Sequence, residues 1–559
     1  MPAEVSEFVR ALLVKRGITE PHAIAEFLAP DYMLHTHAAQ LFAGMGIAVA
    51  RVLLAMERNE RIAIYADFDC DGIPGAALLG DLFQKLEYEN FEVYLPHRDR
   101  EGYGFHTEAI QQLAERGVKL IITVDVGTTA IESVRFAKGK GIDVIVTDHH
   151  EIPGELPDAL VVLNPKLAPY PFPHLCGASV AFKLVQAVLA GGHAQNIKRF
   201  DGIAEGWEKW LLDLVAIATV ADMVPLIGEN RTLAYWGLQV LRKSPRPGIN
   251  ALCTRLRLRK AELTEDDIGF SIAPRINAAS RMDEPHLALR LLTTHDADEA
   301  EQLAAKLEAL NASRKGVVSA MVREAKRKVK DRFIADESVV VVGNPEWKPA
   351  LLGLAANSVM EERGGVVCIW GRDALGRIKG SCRSDGAISV VDLFSKTDGV
   401  FEEYGGHAAS GGFTVLSEHV HTLSETLSAV AAAMEHTEII NADGKHDALV
   451  TLREVSQPLF RDIQMLAPFG LGNPKPVFRI AQTIVTEIRK FGKESNHVEL
   501  QLECRTSGTR CRAFDFFRRA EDFSHMPAPG AEVQVLATVE RDSFRGGLVL
   551  RLIDVLPCA

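Results

Sequence analysis

The chain has 559 residues, of which 47% are apolar and 24% charged, a globular composition consistent with roughly three or four domains. No run of about 18 uncharged apolar residues occurs, so no membrane span is expected, and residues 1–16 carry acids and lack a signal-peptide core. The net charge of −12, taken alone, opposes nucleic-acid binding, although clustered metal-binding carboxylates would contribute to it.

After an N-terminal segment of residues 1–50, short apolar runs rich in β-branched residues recur between residues 61 and 163, with helix-like segments between them. This alternation predicts an α/β lobe with a parallel sheet and crossover helices in residues 51–285. The predicted elements are strands Arg61–Ala66, Phe91–Leu95, Lys119–Val124, Asp143–Thr147 and Leu160–Leu163, and helices Gly75–Leu86, Glu108–Arg116 and Trp207–Thr219.

Apolar residues then recur at helical spacing from Asp296 to about Phe333, which predicts one helix of roughly 55 Å. We expect this helix to connect two lobes within residues 286–334; a helical hairpin is the alternative. A second, smaller α/β lobe is predicted for residues 335–435. Its expected elements are strand Val339–Val342, helix Pro349–Glu361, strand Val366–Trp370, a loop holding Gly405–His407, and strand Gly412–Leu416.

The pattern becomes all-β in residues 446–559, where five or six short strands predict a small OB-like barrel. The candidates are Ala448–Leu452, Thr483–Ile488, His497–Cys504, Arg510–Phe514, Glu532–Glu540 and Leu548–Val555. Aromatic residues interleave with basic ones here, which favours stacking on nucleic-acid bases, although about half of the phenylalanines should belong to the barrel core. They are Phe491, Phe514, Phe516, Phe517 and Phe544, among Arg489, Lys490, Lys493, Arg510 and Arg512.

Acidic residues follow directly after three predicted strands of the first lobe. Asp67-Phe-Asp69-Cys-Asp71-Gly72 follows the first strand, Asp125 the third and Asp148-His149-His150 the fourth, while Asp222 ends an apolar helix-like run. Open parallel sheets bind ligands beyond the carboxyl ends of their strands, so these clusters should converge. Any one Asp alone is more commonly a helix N-cap or turn former. Together, crowded carboxylates with a neutral His predict a site for two divalent cations, Mn²⁺ or Mg²⁺.

Asp148-His149-His150 resembles the motif that names the DHH phosphoesterases, and Asp67–Gly72, Asp125 and Asp222 are similar to that superfamily's other metal-binding motifs, in the expected order. Further stretches resemble the RecJ family in particular, and the resemblance extends from about residue 25 to the end. They are Pro96–Arg98, Glu101–Gly104, Ala273–Asn277 through Arg281, Lys379–Ser384 and Gly405–His407. The resemblance implies a two-lobed DHH phosphoesterase, with a DHHA1-like second lobe, followed by an OB-like barrel.

The resemblance also implies residue roles. Six side chains would form the metal centre, with Asp125 bridging two ions and Asp67 supporting or joining the first: Asp67, Asp69, Asp71, Asp125, His149 and Asp222. His150 would donate a hydrogen bond to the scissile phosphate. Four residues would line the nucleotide path: Arg275, Asn277, Arg281 and His407. Ser381 and Arg383, with Arg98, would hold the strand's terminal phosphate, and a surface salt bridge is the alternative for each arginine.

The implied function is a metal-dependent, single-stranded-DNA-specific 5′-to-3′ exonuclease that releases 5′-mononucleotides in DNA repair and recombination. We expect a monomer that works with a helicase and a single-strand-binding protein. Eight scattered cysteines without a C-x-x-C pair favour a reduced, cytoplasmic setting. The alternatives are a DHH phosphodiesterase for short oligonucleotides or cyclic dinucleotides, which usually lacks the barrel, and an inactive DNA-binding scaffold, which should have lost acidic ligands.

The sequence departs from the family pattern at a few positions. Trp347-Lys348-Pro349 stands where the family commonly has Trp-His-Pro, and Ser179 and Ser280 stand where glycine is usual. Pro349 is predicted to be the first residue of its helix, which places Lys348 at the helix N-terminus. Because helix N-termini bind phosphate, we expect Lys348 to contact the DNA backbone; a solvated lysine is the alternative.

Overall fold

The computed structural model describes residues 5–152, 154–334, 337–434, 446–492, 497–542 and 545–558. Two short helices, α1 (Glu7–Lys15) and α2 (Pro21–Leu28), open the described part of the chain. Their apolar side chains Val9, Leu12, Leu13 and Phe27 belong to the same buried core as the strands near the C-terminus. No helix among the described residues is long and apolar enough to cross a membrane.

The predicted parallel sheet of the first lobe is confirmed. Its strands are β1 (Arg61–Ala66), β2 (Phe91–Tyr94), β3 (Val118–Val124), β4 (Asp143–Thr147) and β5 (Val161–Leu163), in the order β2-β1-β3-β4-β5. All neighbouring strands run parallel. Residues 62–66 are all buried, as expected for a strand whose two faces are covered by helices. The helices of this part are α3 (Met45–Glu57), α4 (Gly72–Lys85), α5 (Thr107–Glu115), α6 (Ile131–Gly139) and α7 (Gly177–Ala194).

A helical region follows and ends in one long helix. Its members are α8 (Leu212–Ala221), α9 (Gly228–Leu241), α10 (Pro247–Leu256), α11 (Glu265–Asp267), α12 (Ala273–Arg281), α13 (Pro285–Thr293) and α14 (Ala297–Arg332). Trp207–Leu211 is a 3₁₀-helix that leads into α8. The Asp296 side chain caps α14 by accepting hydrogen bonds from the amides of Asp298 and Glu299. The prediction of a single long helix is confirmed, and the hairpin alternative is wrong.

The second lobe is a mixed sheet in the order β6-β7-β8-β10-β9. Its elements are β6 (Val339–Gly343), α15 (Pro349–Arg363), β7 (Val366–Arg372), β8 (Ile378–Ser384), α16 (Val390–Ser395), β9 (Phe401–His407), β10 (Ser410–Val415) and α17 (Leu423–Ala432). The predicted loop at Gly405–His407 is wrong, because these residues end β9 and pair antiparallel with β10. A Cβ on Gly406 would lie 2.3 Å from the Ser410 carbonyl oxygen, so close strand approach explains a glycine that propensity assigns to a loop.

The C-terminal barrel is confirmed. Its elements are β11 (Ala448–Val450), α18 (Gln457–Gln464), β12 (Phe478–Phe491), β13 (His497–Cys504), β14 (Arg510–Asp515), β15 (Glu532–Arg541) and β16 (Leu548–Pro557). Strand β12 pairs with both β13 and β15, which closes a five-stranded ring. In β13 buried and partly exposed residues alternate, as in a strand with one face in the core. The described residues among 1–36, 225–235 and 441–559 form one compact unit, and those among 37–224 and 236–440 form another.

Candidate metal centre and nucleic-acid interface

The predicted acidic and histidine residues converge at the carboxyl edge of the first sheet. Asp67 follows β1, Asp125 follows β3, and His149 and His150 lie just after β4, while Asp222 comes from the end of α8. Three groups of side chains offer ligand atoms within 4.8 Å of one another: Asp67, Asp69 and Asp125; Asp71, His149 and Asp222; and Asp125, His149 and His150. The third group shares Asp125 with the first and His149 with the second, so the groups adjoin and provide places for two cations.

The backbone holds these side chains in fixed positions. Asp71 accepts hydrogen bonds from the amides of Gly177 (2.6 Å) and Ala178 (2.7 Å) at the N-terminus of α7. A Cβ on Gly177 would lie 2.6 Å from the Asp125 Cβ, so only glycine allows this approach. Asp125 itself has a φ of 60°, in the left-handed region that costs free energy for most residues and is commonly found at functional sites.

Several oxygen atoms at this edge lack a hydrogen-bond partner. Among the residues that the structure describes, Asp67 Oδ1, Asp125 Oδ1 and Asp222 Oδ2 are buried side-chain oxygens without one. His149 Nε2 lies 3.2 Å from Asp125 Oδ1 and 3.6 Å from Asp222 Oδ2. Buried, unsatisfied carboxylate oxygens around a ring nitrogen are an arrangement that Mn²⁺ or Mg²⁺ would satisfy, so the residues fit the implied metal.

The electrostatics of the centre also call for cations. Burial, reinforced by Asp69, raises the pKa of Asp67 and Asp71, and burial with Asp71 raises the pKa of Asp125 and Asp222. Burial and the neighbouring His150 lower the pKa of His149 to about 3, which leaves its imidazole neutral. A neutral imidazole is the form that binds a metal, and divalent charge would offset the repulsion among the carboxylates.

Two residues that the motif analysis left without a role orient His150. Asp148 Oδ1 lies 2.7 Å from His150 Nδ1, and Asp148 is itself buried and accepts the amides of Thr128 and His149. Burial opposes a charged His150, but the hydrogen bond and the charge of Asp148, together with the charges of Asp67 and Asp71, outweigh burial and raise the pKa of His150. The Tyr103 hydroxyl lies 3.2 Å from His150 Nδ1 and donates to the Asp125 carbonyl (3.3 Å). Asp148 and Tyr103 both lie inside the family motifs, but their residue types alone did not reveal these contacts with His150.

Arg98 and Arg383, which were predicted to bind the terminal phosphate, form a guanidinium cluster with Arg281, which was predicted to line the nucleotide path. This cluster adjoins the carboxylates. The Arg98 guanidinium lies 4.6 Å from the ring centre of Phe68, which stands between Asp67 and Asp69. Arg281 donates to the Ala350 carbonyl (2.6 Å), and Arg383 donates to the Ser381 hydroxyl (3.1 Å).

The cluster carries more positive charge than its surroundings neutralise. Burial, with Arg98 and Arg314 nearby, lowers the pKa of Arg281 to about 9. Burial also lowers the pKa of Arg383. Arg314 on α14 was not predicted, and its Nε is buried without a partner among the described residues. Desolvated, mutually repelling guanidinium groups suit a phosphate.

The remaining predicted residues lie in more varied settings. Asn277 Oδ1 accepts the Cys70 amide (3.0 Å), so it supports the loop that carries Asp69 and Asp71. Arg275 pairs with Glu308 (2.7 Å), and His407 is exposed near the end of β9.

Pro349 is the first residue of α15 and Lys348 is its N-cap residue, as predicted. Its Nζ lies 3.1 Å from Asp283 Oδ2, so its charge already has a partner.

The barrel presents aromatic and basic side chains on its surface. Phe517 is 79% exposed and Phe516 is 43% exposed. The Arg551 guanidinium lies 4.5 Å from the Phe516 ring centre, and Phe514 and Phe516 form an edge contact at 5.0 Å. Phe544 and Lys493 lie outside the described residues. The two exposed rings beside an arginine are the part of this surface suited to stacking on bases.

Three parts of the chain match known domain families. Residues 61–219 match the DHH family, N-terminal domain, residues 336–433 match the DHHA1 domain, and residues 446–553 match the RecJ OB domain. A single-stranded-DNA-specific exonuclease RecJ from Bacillus subtilis is 33% identical over 540 residues, which are 95% of this chain and 65% of that relative. The chain thus spans just under two thirds of the length of the Bacillus relative.

The counterpart from Haemophilus influenzae, also named single-stranded-DNA-specific exonuclease RecJ, is 30% identical over 520 residues, which are 91% of this chain and 90% of that protein. The crystal structure of RecJ from Thermus thermophilus in complex with Mn²⁺ superposes with a TM-score of 0.80 at 27% identity, covering 100% of this chain and 76% of that one. Its complex with Mg²⁺ superposes with a TM-score of 0.74 at 26% identity, covering 100% and 75%.

Proposed function

The chain belongs to the RecJ family of single-stranded-DNA-specific exonucleases, and on that premise we propose that it hydrolyses single-stranded DNA from the 5′ end and releases 5′-mononucleotides. One observation carries the proposal: the unsatisfied carboxylates adjoin the guanidinium cluster within one compact unit. Phe68, between two predicted metal ligands, lies under Arg98, and the Asn277 side chain links α12, which ends at Arg281, to the Asp69–Asp71 loop. A strand end held at the arginines would therefore present a phosphodiester to the carboxylates.

We assign the two cations to the groups of oxygen and nitrogen atoms around Asp125. Asp67, Asp69 and Asp125 would hold one ion, and Asp71, Asp125, His149 and Asp222 would hold the other, with Asp125 shared. When bound, two divalent cations stabilise the charge on a phosphodiester and lower the pKa of a water molecule. The low pKa of His149 supports its role as a neutral nitrogen ligand.

His150 is placed to act on the phosphate rather than on a cation. Its Nδ1 is held by the Asp148 carboxylate, which leaves Nε2 to donate a hydrogen bond to a non-bridging phosphate oxygen. Because the contact with Asp148 raises the pKa of His150, the imidazole retains its second proton more readily. The pair of side chains would thereby stabilise the negative charge that develops on the phosphate during hydrolysis.

The 5′ polarity follows from the proposed end-binding site. Arg98, Arg281, Ser381 and Arg383 would bind a terminal 5′ phosphate, because guanidinium groups form charge-assisted, bidentate hydrogen bonds with phosphate oxygens. Arg275, Asn277 and His407 would line or support the path of the next nucleotides. The exposed barrel rings Phe516 and Phe517 would add affinity for longer strands by stacking on bases.

The setting of this reaction belongs to the same proposal. We expect the protein to act in the cytoplasm as a monomer during DNA repair and recombination, on strands made available by a helicase and a single-strand-binding protein. All eight cysteines are free thiols, as a reducing compartment requires. Addition of either partner to a digestion of duplex DNA should raise the rate if this expectation holds.

The test is digestion of single-stranded DNA labelled at either end, with Mn²⁺. Label at the 5′ end should appear at once as mononucleotide, whereas label at the 3′ end should appear last. Removal of the 5′ phosphate, or the Arg383→Ala substitution, should slow the first cleavage, because a phosphate contact that contributes about 1.5–3 kcal/mol is lost. Arg372→Ala, on the neighbouring strand β7, should leave the rate unchanged. Release from the 3′ end, or equal rates in all cases, would contradict the assignment.

A further inference from the structure

Lys348 belongs to an ionic cluster that joins three segments of the chain. Its Nζ lies 3.1 Å from Asp283 Oδ2, and the Asp283 carboxyl lies beside that of Asp99 and 3.9 Å from His97 Nε2. Three buried atoms of this cluster, His97 Nδ1, Asp99 Oδ1 and Asp283 Oδ1, have no hydrogen-bond partner among the described residues. The cluster therefore has two crowded carboxylates, and the Lys348 ammonium group forms an ion pair with Asp283 and lies near enough to Asp99 to offset part of the rise that burial and Asp283 cause in the pKa of the Asp99 carboxyl group.

Each member of the cluster adjoins a residue of the proposed 5′-phosphate site. His97 and Asp99 flank Arg98, and Asp283 stands two residues after Arg281. Lys348 is the N-cap residue of α15, whose first turn supplies the Ala350 carbonyl that accepts a hydrogen bond from Arg281.

The next turn of α15 carries Gly353, which faces the other half of the phosphate site. A Cβ there would lie 2.8 Å from Arg383 Nη2 and 3.1 Å from Ser381 Oγ. The position of this helix thus sets the positions of Arg281 and Arg383 together.

We propose that Lys348 is a positioning residue for the 5′-phosphate site, because its ion pair with Asp283 fixes α15 against the segments that carry Arg98 and Arg281. This inference rests on the proposed function. Two adjacent carboxylates repel each other, so without the ammonium group the Asp99 and Asp283 segments separate. Asp283 also has a φ of 69°, a costly backbone conformation that neighbouring contacts must maintain.

A positioning role for Lys348 and direct contact of Lys348 with the DNA backbone have different consequences for the salt dependence of KM and for the preference for a 5′ phosphate. A lysine that neutralises a DNA phosphate contributes about 0.7 to the slope of log KM against log salt on single strands. A positioning lysine leaves that slope unchanged and alters the preference for a 5′-phosphorylated end.

The experiment compares wild type, Lys348→Ala and Lys348→Arg on the same single strand with a 5′ phosphate or a 5′ hydroxyl, across a salt series with Mn²⁺. We expect Lys348→Ala to lower kcat/KM on the phosphorylated strand by about tenfold and on the hydroxyl strand by about twofold at most, with an unchanged salt slope. Lys348→Arg should restore the preference, since it retains the charge. The matched control is Lys326→Ala, which removes a different lysine–carboxylate pair of α15, the one between Lys326 on α14 and Glu362.

The outcomes separate the two proposals. A Lys348→Ala variant with an unchanged preference, whether or not its salt slope falls, would overturn the positioning role. An equal loss in Lys326→Ala would also overturn it, because any loosening of α15 would then suffice. A wild-type protein that shows no preference for a 5′ phosphate would instead refute the proposed 5′-end site, before Lys348 is considered. The Lys348 side chain is half-exposed, and thermal unfolding of each variant checks that the substitutions leave the fold intact.

Discussion

At the scale of single residues, Asp125 combines features that destabilise the fold with the position expected of a shared metal ligand. It is buried, has a left-handed backbone and belongs to two of the three candidate ligand groups. Burial and Asp71 raise its pKa, which means that its charged form is costly in the metal-free protein. Such a residue is expected where a cation supplies the compensating charge.

We predict that Asp125→Asn abolishes hydrolysis and weakens Mn²⁺ binding, because a shared ligand serves both ions. In the presence of a chelator the same variant should be more stable than wild type, because the substitution removes a buried carboxylate whose charged form is costly. Asn tolerates a positive φ, so the backbone should not oppose this gain. Activity, metal titration and thermal unfolding measure the three effects, and Asp158→Asn, at an exposed ion pair, is the control. Substantial hydrolysis by Asp125→Asn would rule out a shared ligand.

The same shifts predict how the metal-free protein responds to pH. A carboxyl whose pKa is raised by folding binds protons more tightly in the folded state, so its contribution to stability is present at low pH and is lost as pH rises through the raised pKa. The pKa of Asp71 is raised to about 6 and that of Asp222 to about 9, and the pKa of Asp125 is also raised, so wild type with chelator should lose stability between about pH 4 and pH 9. Added Mn²⁺ should flatten that dependence, and an unchanged profile would show that these carboxyls do not hold the ion.

Sequence reasoning succeeded at residues whose role follows from position along a strand. Asp67 and Asp125 were predictable because parallel strands end at one edge, and a motif adds specificity. It did not reveal that Arg275 pairs with Glu308 or that Lys348 pairs with Asp283, since residues 33 and 65 positions apart meet only through helix packing. The contact between Tyr103 and His150 likewise joins residues 47 positions apart, here in two loops.

At the scale of elements, predictability followed local pattern strength. Strands β1 and β4 were predicted to the residue, because short apolar runs that contain β-branched residues and are bounded by polar residues have few alternatives. The end of β9 was missed because two glycines carry no alternation, and its strand conformation depends on pairing with β10. The long α14 helix was predictable from its period, but its capping geometry at Asp296 was not needed for that inference.

Helix α15 offers a test at this scale through Gly353. We predict that Gly353→Ala reduces the preference for a 5′-phosphorylated end, because the added methyl group would displace Arg383 and Ser381. Alanine otherwise favours a helix interior by about 0.8–1 kcal/mol, so the variant should lose function without a matching loss of stability. Gly316→Ala on α14 is the control, since its Cβ would meet no atom within 4 Å. An equal preference for a 5′-phosphorylated end in the two variants would show that α15 does not shape the phosphate site.

At the scale of the whole molecule, the net charge of −12 and the proposed DNA substrate are compatible because charge is distributed unevenly. The acidic side chains at the sheet edge would be neutralised by cations, while Arg98, Arg281, Arg314 and Arg383 provide positive charge beside them. The net negative charge therefore repels DNA at long range, whereas the local arginine cluster determines where the strand would bind. The barrel contributes aromatic surface in addition to charge.

We predict that the double substitution Phe516→Ala and Phe517→Ala raises KM on long single strands with kcat unchanged, because a stacked base contributes about 1–3 kcal/mol and neither ring lies in the metal centre. The rise in KM is expected on long strands, because a strand bound by both regions gains the stacking contribution. Leu449→Ala, at another exposed apolar residue of the same compact unit, controls for loss of surface area alone. Kinetics on a length series of one sequence, with Mn²⁺, separate these effects. If the double variant lowers kcat on the shortest strands, the barrel influences chemistry, and if KM stays at the wild-type value at every length, the two rings do not contact DNA.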